Sequence, residues 1–189
     1  RRGRYQEAFE AYGRVIKLQP DEPNGPLGAS SMLLLLNRPD DARAHAELAI
    51  ASAPSQAHQA LALIAVSRQR DDEALRQADL AAAAEPGLPM PAFIRGTLAY
   101  NHQQYEPALG FLLQAQKGYA GRSAQPRDLH FMIGDSLARL ERYKEAEPYL
   151  EEEVRLYPQH VRARAGLAML YQSMGRNAEA ERVLDDLVR

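Results

Sequence analysis

The stretch IGDSLARLERYKEAEPYLEEEVRLYP, residues 133–158, has the pattern of two short helices that fold back on each other. Apolar residues recur three to four positions apart in both halves, which is the spacing of an amphipathic helix. Small residues, Gly134 and Ala146, stand where the two helices would touch, because close helix contact requires small side chains. Pro158 closes the second helix, since proline cannot continue one. The stretch therefore predicts a helical hairpin.

The same plan repeats 34 residues later, in LAMLYQSMGRNAEAERVLDDLVR, residues 167–189. There Ala168 takes the place of Gly134. The small residue of the second helices recurs at Ala8, Ala42, Ala74, Ala108, Ala146 and Ala180, a set that we call the alanine ladder. Its spacings are 34, 32, 34, 38 and 34 residues. The widest step contains the turn-rich GYAGRSAQP, residues 118–126, and predicts a longer loop there.

A period of 34 with small residues at these positions resembles the tetratricopeptide-repeat (TPR) family, here as a bacterial-type array. The resemblance implies an all-α, right-handed superhelical solenoid of antiparallel helix pairs, with about eleven helices. It also implies one solenoid over 1–189, with units at 1–22 (second helix only), 23–54, 55–88, 89–126, 127–160 and 161–189. The chain departs from the family pattern in places. It has no tryptophan, and Glu153 replaces the alanine that usually stands late in the second helix.

Composition excludes several classes of function. The net charge is −2, without the basic excess that a nucleic-acid binder needs. Because the chain has no cysteine, disulfides, Cys-ligated zinc and thiol nucleophiles are excluded. The apolar run at residues 32–36 is far too short to span a bilayer. We expect no nucleic-acid binding and no membrane insertion, while cytoplasm and periplasm both remain compatible.

The sequence lacks the patterns of a catalytic or metal centre. Its five histidines show no HxxxH or HExxH spacing, and no Gly-rich phosphate loop or nucleophile elbow is present. We therefore predict no catalytic residue, no cofactor and no bound metal. The acidic run 151–153 indicates a solvated helix face. His130 near Asp135 is the one histidine–carboxylate pair to check.

The first helices carry the residues that we predict to line a partner-binding groove, since first helices line the concave side in this family. The family's best-known peptide site holds a C-terminal carboxylate with lysines and asparagines. The matching positions here hold neither residue, so the resemblance implies no such clamp; they are Leu27, Ser31, Ala60, Met90 and Ile94. The predicted groove consists of Leu63, Val66, Phe93, Thr97, Tyr100, Asn101, Phe131, Met132, Asp135, Arg139 and Arg162.

Two interpretations of these groove residues remain open. The apolar members either seat an apolar peptide or helix, or are half-buried by neighbouring repeats. Arg139 and Arg162 either receive a carboxylate from a ligand or pair with Asp135 or Asp128 on the surface.

The sequence favours a non-catalytic protein–protein interaction scaffold that binds a peptide or partner domain in this groove. Two alternatives remain: a regulatory or dimerising tail of a larger enzyme, for instance a sulfatase-like hydrolase, and a structural spacer. The opening helix lacks a first helix of its own, so we expect Ala8, Tyr12 and Val15 to face nothing within the chain. Such uncapped ends predict weak self-association.

Overall fold

The computed structural model describes residues 2–122 and 125–188, with the side chains of 2 and 186–188 outside that description. Over these residues the chain forms eleven helices and no strand, which confirms the predicted all-α class. The helices are α1 Arg2–Leu18, α2 Asn24–Leu35, α3 Pro39–Leu48, α4 Pro54–Ser67, α5 Asp71–Ala84, α6 Met90–Asn101, α7 Tyr105–Tyr119, α8 Leu129–Arg139, α9 Tyr143–Leu156, α10 Val161–Ser173 and α11 Asn177–Val188. Within the described part of the chain, no helix is both long and apolar enough to cross a bilayer.

Two compact units divide the chain, residues 1–94 (unit 1) and residues 95–189 (unit 2). Within unit 1, α1 packs on α2, α2 on α3, α3 on α4 and α4 on α5. Within unit 2, α7 packs on α8, α8 on α9, α9 on α10 and α10 on α11. Neighbours in sequence are thus neighbours in space, which is typical of helical repeats. The predicted single solenoid with its six units stays a prediction. Its limits, residues 1 and 189, lie outside the described residues, as do residues 123–124 of the predicted loop.

The turn inside each helix pair repeats as regularly as the alanine ladder. One residue in each turn has a positive φ: Asn37, Gln69, Gln103, Glu141 and Gly175. The amide after that residue donates to a carbonyl five residues earlier, as Arg142 N–H does to Leu137 O at 2.9 Å. This is the Schellman closure of a helix C-terminus, which favours glycine at the left-handed position. The turn therefore reverses the chain for the second helix.

Four second helices begin after an arginine that pairs with an acidic residue three positions on. The pairs are Arg38–Asp41, Arg70–Glu73, Arg142–Glu145 and Arg176–Glu179, with N···O distances from 2.5 to 3.4 Å. The acidic residue lies in the first helical turn, where it faces the positive end of the helix dipole. Because most of these pairs are well exposed, each stabilises the fold by only about 0–1 kcal/mol.

The small residues lie at close helix contacts, and Leu150 takes part in one of them. Ala146 is fully buried, as are the ladder alanines Ala42, Ala74 and Ala108. Gly134 lies against Leu150: a Cβ on Gly134 would lie 2.7 Å from Leu150 Cγ and 3.2 Å from Leu150 N. The glycine of the first helix thus makes room for a leucine one helical turn beyond the ladder alanine.

The opening helix α1 does have a partner within the chain, contrary to the sequence-based prediction. The ring of Tyr12 lies against Gly28 of α2, and Val15 Cγ1 would meet a Cβ on Gly25 at 3.3 Å. Ala8, Tyr12 and Val15 are all half-buried. The expectation that Tyr12 and Val15 face nothing within the chain was wrong because α2 packs against them, while the self-association predicted for the ends stays a prediction.

Candidate functional site

Unit 2 carries a mixed aromatic and charged surface on its first helices. The C-terminal half of α6 contributes Tyr100, α8 contributes Asp135 and Arg139, and α10 contributes Arg162 and Met169. We call these five residues the unit-2 face. Its members come from successive helix pairs, which stack because each pair must bury its apolar side against the next.

Asp135 connects α6 and α8 at the centre of the unit-2 face. Tyr100 Oη donates a hydrogen bond to Asp135 Oδ2 at 2.7 Å, and Arg139 Nε lies 3.6 Å from the same oxygen. Burial, and then the hydrogen bond to Asp135, raise the pKa of Tyr100 above its ordinary value, so its phenol stays a neutral donor. The predicted pair between Arg139 and Asp135 is confirmed.

The two arginines of the unit-2 face both rest on aromatic rings. Arg162 lies over Phe131 with its guanidinium carbon 4.7 Å from the ring centroid, and Arg139 lies over Tyr105 at 5.8 Å. Both arginines are exposed. A guanidinium stacked on a ring is attracted to it and still points its N–H donors outward in its own plane. The face therefore presents two positive groups, and its one carboxylate already has two partners.

A recess of about 180 Å³ opens beside these charges, between α8 and α10. It is lined by Asp135, Ala138, Arg139, Tyr143, Gly166, Met169, Leu170 and Ser173. The side chain of Met169 is 64% exposed at its edge. An apolar cavity of about 150 Å³ accepts benzene, so a recess of this size admits one large apolar side chain.

Three predicted groove residues belong to the core instead of an open surface. Phe93, Phe131 and Met132 are only 5%, 4% and 5% exposed. Phe131 is covered because the rings of Tyr100 and His160 pack beside it, with centroids 6.4 and 5.3 Å away. For these residues the alternative of burial by neighbouring repeats is correct.

The remaining predicted groove residues differ in position. Tyr100, Asp135, Arg139 and Arg162 come together in the unit-2 face, as described above. Asn101 is exposed at the end of α6, and Thr97 is half-buried one turn before it. Leu63 and Val66 are half-buried on α4 of unit 1.

A cluster of three ionisable residues, which the sequence did not predict, lies beneath the unit-2 face. Glu153 of α9 is fully buried and His160, the N-cap of α10, is 6% exposed. His160 Nδ1 is hydrogen-bonded to Glu153 Oε1 at 2.9 Å, and His160 Nε2 lies 3.0 Å from Asp128 Oδ1. We call Asp128, Glu153 and His160 the carboxylate–histidine cluster.

This cluster corrects three expectations. The acidic run 151–153 is not solvated throughout, because Glu153 points into the helix packing. His130 packs beside the Tyr149 ring, with centroids 6.4 Å apart, and the carboxylate on which it acts is that of Glu152, outside this cluster. Asp128 contacts His160 instead of an arginine of the face. One signal was available: Glu153 stands where three of the other second helices have a packing alanine.

The cluster is also the place in the described chain whose donor set suits a divalent cation. One donor atom from each of Asp128, Glu153 and His160 lies within 4.8 Å of the others. The two carboxylates, however, contact different nitrogens of one imidazole ring. That arrangement is an ion-pair network, whereas a metal centre requires the three donors to point at one position.

Two family models match the chain, both described as tetratricopeptide repeat, one over residues 1–57 and the other over residues 137–189. Together the two matches cover more than half of the chain. The chain belongs to the tetratricopeptide-repeat family. TPR proteins bind protein partners and are generally non-catalytic. A comparison with curated protein sequences finds no match.

Solved TPR structures share the fold. The first is a chain of the APC/C heterotetramer Cut9–Hcn1, with a TM-score of 0.79, 14% identity and 98% of this chain covered; this chain spans 36% of its length. TTC0263, a thermophilic TPR protein of Thermus thermophilus, has a TM-score of 0.67, 24% identity, and coverage of 88% of this chain and 90% of its own. YrrB, described as a TPR protein with an unusual peptide-binding site, has a TM-score of 0.55, 20% identity, and coverage of 96% and 92%. At these identities the likeness shows the fold alone.

Proposed function

We propose that this TPR chain is a non-catalytic protein-binding module, and that the unit-2 face binds a peptide segment of its partner. The observation that carries this proposal is the combination of a recess and two exposed arginines on one face. The recess admits an apolar side chain, and Arg139 and Arg162 lie next to the same Tyr100–Asp135 pair. A peptide with one large apolar residue and a nearby carboxylate is complementary to both features.

The charges around the recess favour an acidic partner over a basic one. Asp135 is the single carboxylate of the unit-2 face, its side chain is 14% exposed, and it is already bound to Tyr100 and Arg139. Arg139 is 56% exposed. Because arginine presents a planar fork of donors, a carboxylate can bind it in a bidentate way.

The proposal can be tested by selecting peptides on the intact 189-residue chain from a random display library, and by measuring the binding of the selected peptide by calorimetry. We expect enriched peptides with an apolar residue and an acidic residue close together. Arg162→Ala and Met169→Ala should each weaken binding by about 5- to 30-fold, which corresponds to the ~1–2 kcal/mol of an ordinary interface contact.

A matched control is Arg155→Ala, because Arg155 is an exposed arginine on α9 that pairs with Glu152 and does not line the recess. This variant should bind the peptide as the original chain does. Selected peptides whose binding ignores both Arg162→Ala and Met169→Ala would place the binding surface elsewhere. If no peptide is selected at all, the spacer or enzyme-tail alternatives gain support.

A further inference from the structure

A fully buried glutamate at position 153 is unusual within this chain. The residues seven positions past the ladder alanines of three other second helices are Ala49, Ala81 and Ala115, and each has 0% exposure. Glu153 occupies the same position in α9 and is equally buried. A buried carboxylate is tolerated only where hydrogen bonds and opposite charge replace its lost hydration. Its partners therefore indicate what it does.

Glu153 connects two helices through its two carboxylate oxygens. Oε2 accepts a hydrogen bond from the Phe131 N–H at 3.3 Å, and Oε1 faces His160 Nδ1 at 2.9 Å. Phe131 is the third residue of α8, where an N-cap side chain usually binds. Asp128, the N-cap of α8, makes no such bond and has a left-handed φ of 69°. Glu153 thus supplies from α9 the anionic cap that α8 does not make for itself.

The contacts of His160 are complete only when its ring carries two protons. An oxygen of an ionised carboxylate can only accept, so each ring nitrogen next to one must donate. The charged groups that face the ring are Glu153 from α9 and Asp128 from the turn before α8. The other charged side chains nearby are Arg127, over the Tyr157 ring, Arg162, beyond the Phe131 ring, and Arg164, bound to Pro158 O.

The cluster also holds the residue on which an arginine of the unit-2 face rests. The His160 ring packs edge-on against Phe131, with centroids 5.3 Å apart. Glu153 binds the Phe131 amide, and Arg162 lies on the Phe131 ring at 4.7 Å. A change in the cluster therefore reaches Arg162 through a single side chain.

We infer that the carboxylate–histidine cluster is a proton-dependent positioning device for the unit-2 face: protonated His160 binds Glu153 and Asp128 together and fixes the Phe131–Arg162 contact, and neutral His160 releases one carboxylate and loosens that contact. Asp128 is 40% exposed and gives the proton a path to solvent. When the His160 ring loses a proton, one of its nitrogens no longer donates to the carboxylate beside it. Both contacts of His160 are therefore made when the ring carries two protons, and one of them is lost when the ring is neutral. Only the consequence for ligand binding rests on the proposed function.

The first test needs no partner. Two-bond proton–nitrogen NMR correlations of the intact chain, recorded from about pH 5 to about pH 8, report the protonation of the imidazole rings. We expect both nitrogens of His160 to be protonated at the acidic end, and the Phe131 ring and Arg162 Nε–H resonances to move with the same midpoint as His160. A ring that stays neutral throughout, or titrates while Phe131 and Arg162 do not respond, overturns the inference.

The second test uses Glu153→Gln, which keeps the size and the acceptor for the Phe131 amide while removing the charge. In the original chain the thermal midpoint should be higher at about pH 5.5 than at about pH 8, by a few degrees. This difference should become smaller in the variant, in which Asp128 is the remaining carboxylate next to the His160 ring. The matched control is Glu145→Gln, whose carboxylate pairs with Arg142 at the surface of the same helix and which should keep the pH dependence. A Glu153→Gln variant that keeps the full dependence contradicts the inference.

The rival occupant of the cluster is a metal ion. Equimolar Zn²⁺ should leave the His160 titration and the thermal midpoint unchanged if the cluster works as a proton site. If Zn²⁺ replaces the proton and stabilises the chain, while Glu153→Gln abolishes that stabilisation, the cluster is a metal site and the inference fails. Peptide binding is measured separately from these tests. If no peptide is selected but Phe131 and Arg162 respond to the protonation of His160, the proposed function is refuted and the role of the carboxylate–histidine cluster stands.

Discussion

At the scale of single residues, Gly134 is the position where the helix packing of unit 2 allows no side chain. We predict that Gly134→Leu destabilises the chain by about 1–3 kcal/mol or more, because even a Cβ there would lie 3.2 Å from the Leu150 backbone nitrogen, which cannot move aside. The measurement is the free energy of unfolding from urea titrations.

The matched control for Gly134→Leu is Gly110→Leu. Gly110 lies on the exposed side of α7, and a Cβ there meets nothing within 4 Å, so leucine should be neutral or stabilising by about 0.5–1 kcal/mol. Gly121 is a less suitable control although it lies in a loop, because its φ of 76° strains any other residue. Equal loss of stability at Gly134 and Gly110 would show that the assigned packing is wrong.

At the scale of helices and turns, the left-handed residue between a first and a second helix is the clearest position at which a substitution should stabilise the chain. We predict that Glu141→Gly stabilises it by about 1 kcal/mol, because glycine adopts a φ of 60° without the steric cost that other residues carry. Glu141 is exposed, so the substitution removes no packing. Chemical unfolding of the variant measures the gain.

The converse change at the equivalent turn is Gly175→Ala, where φ is 75°. It should cost about 1 kcal/mol, since alanine has to adopt the left-handed conformation. A stabilising Gly175→Ala, or a destabilising Glu141→Gly, would mean that something other than backbone conformation decides the stability of these turns.

At the scale of the whole molecule, buried tyrosines make the chain sensitive to alkali. Burial raises the pKa of Tyr119 to about 12, and burial with a hydrogen bond to a carboxylate raises the pKa values of Tyr100 and Tyr171. An unfolded tyrosine titrates near pH 10, so the folded chain holds these protons more tightly. We therefore predict full stability below about pH 10 and a progressive loss as pH rises towards 12.

Urea midpoints measured between about pH 9 and about pH 11.5 test this prediction, with phenolate absorbance recorded on the folded chain. The chain has only three lysines, at 17, 117 and 144, so lysine titration contributes little over this range. Tyr119→Phe should reduce the slope of stability against pH, whereas Tyr149→Phe, at a half-buried position, should change it less. Phenols that all titrate near pH 10 while the chain is still folded would contradict the prediction.

The repeat itself was predictable because local features of the sequence, the small residues and the turns, recur at a regular spacing. Ladder alanines such as Ala42 and Ala108 are fully buried, and the turns recur at the same intervals. Helix periodicity and the need for small residues at close crossings act over a few residues, so one chain suffices to detect them. The contact between Arg139 and Asp135 was predictable for the same reason, since residues four apart on a helix are neighbours.

The sequence by itself therefore determined the fold class, the number of helices and the position of their small contacts. Only the tertiary structure decided which side chains are available to a partner. The sequence places Phe131 among the groove residues and Glu153 in a solvated acidic run, yet both side chains are buried. Neighbouring segments of the chain bring Tyr100 and His160 against Phe131, and His160 with Asp128 next to Glu153. The physical reason is that burial and charge pairing depend on atoms more than a helix away in sequence, and no local pattern reports where those atoms lie.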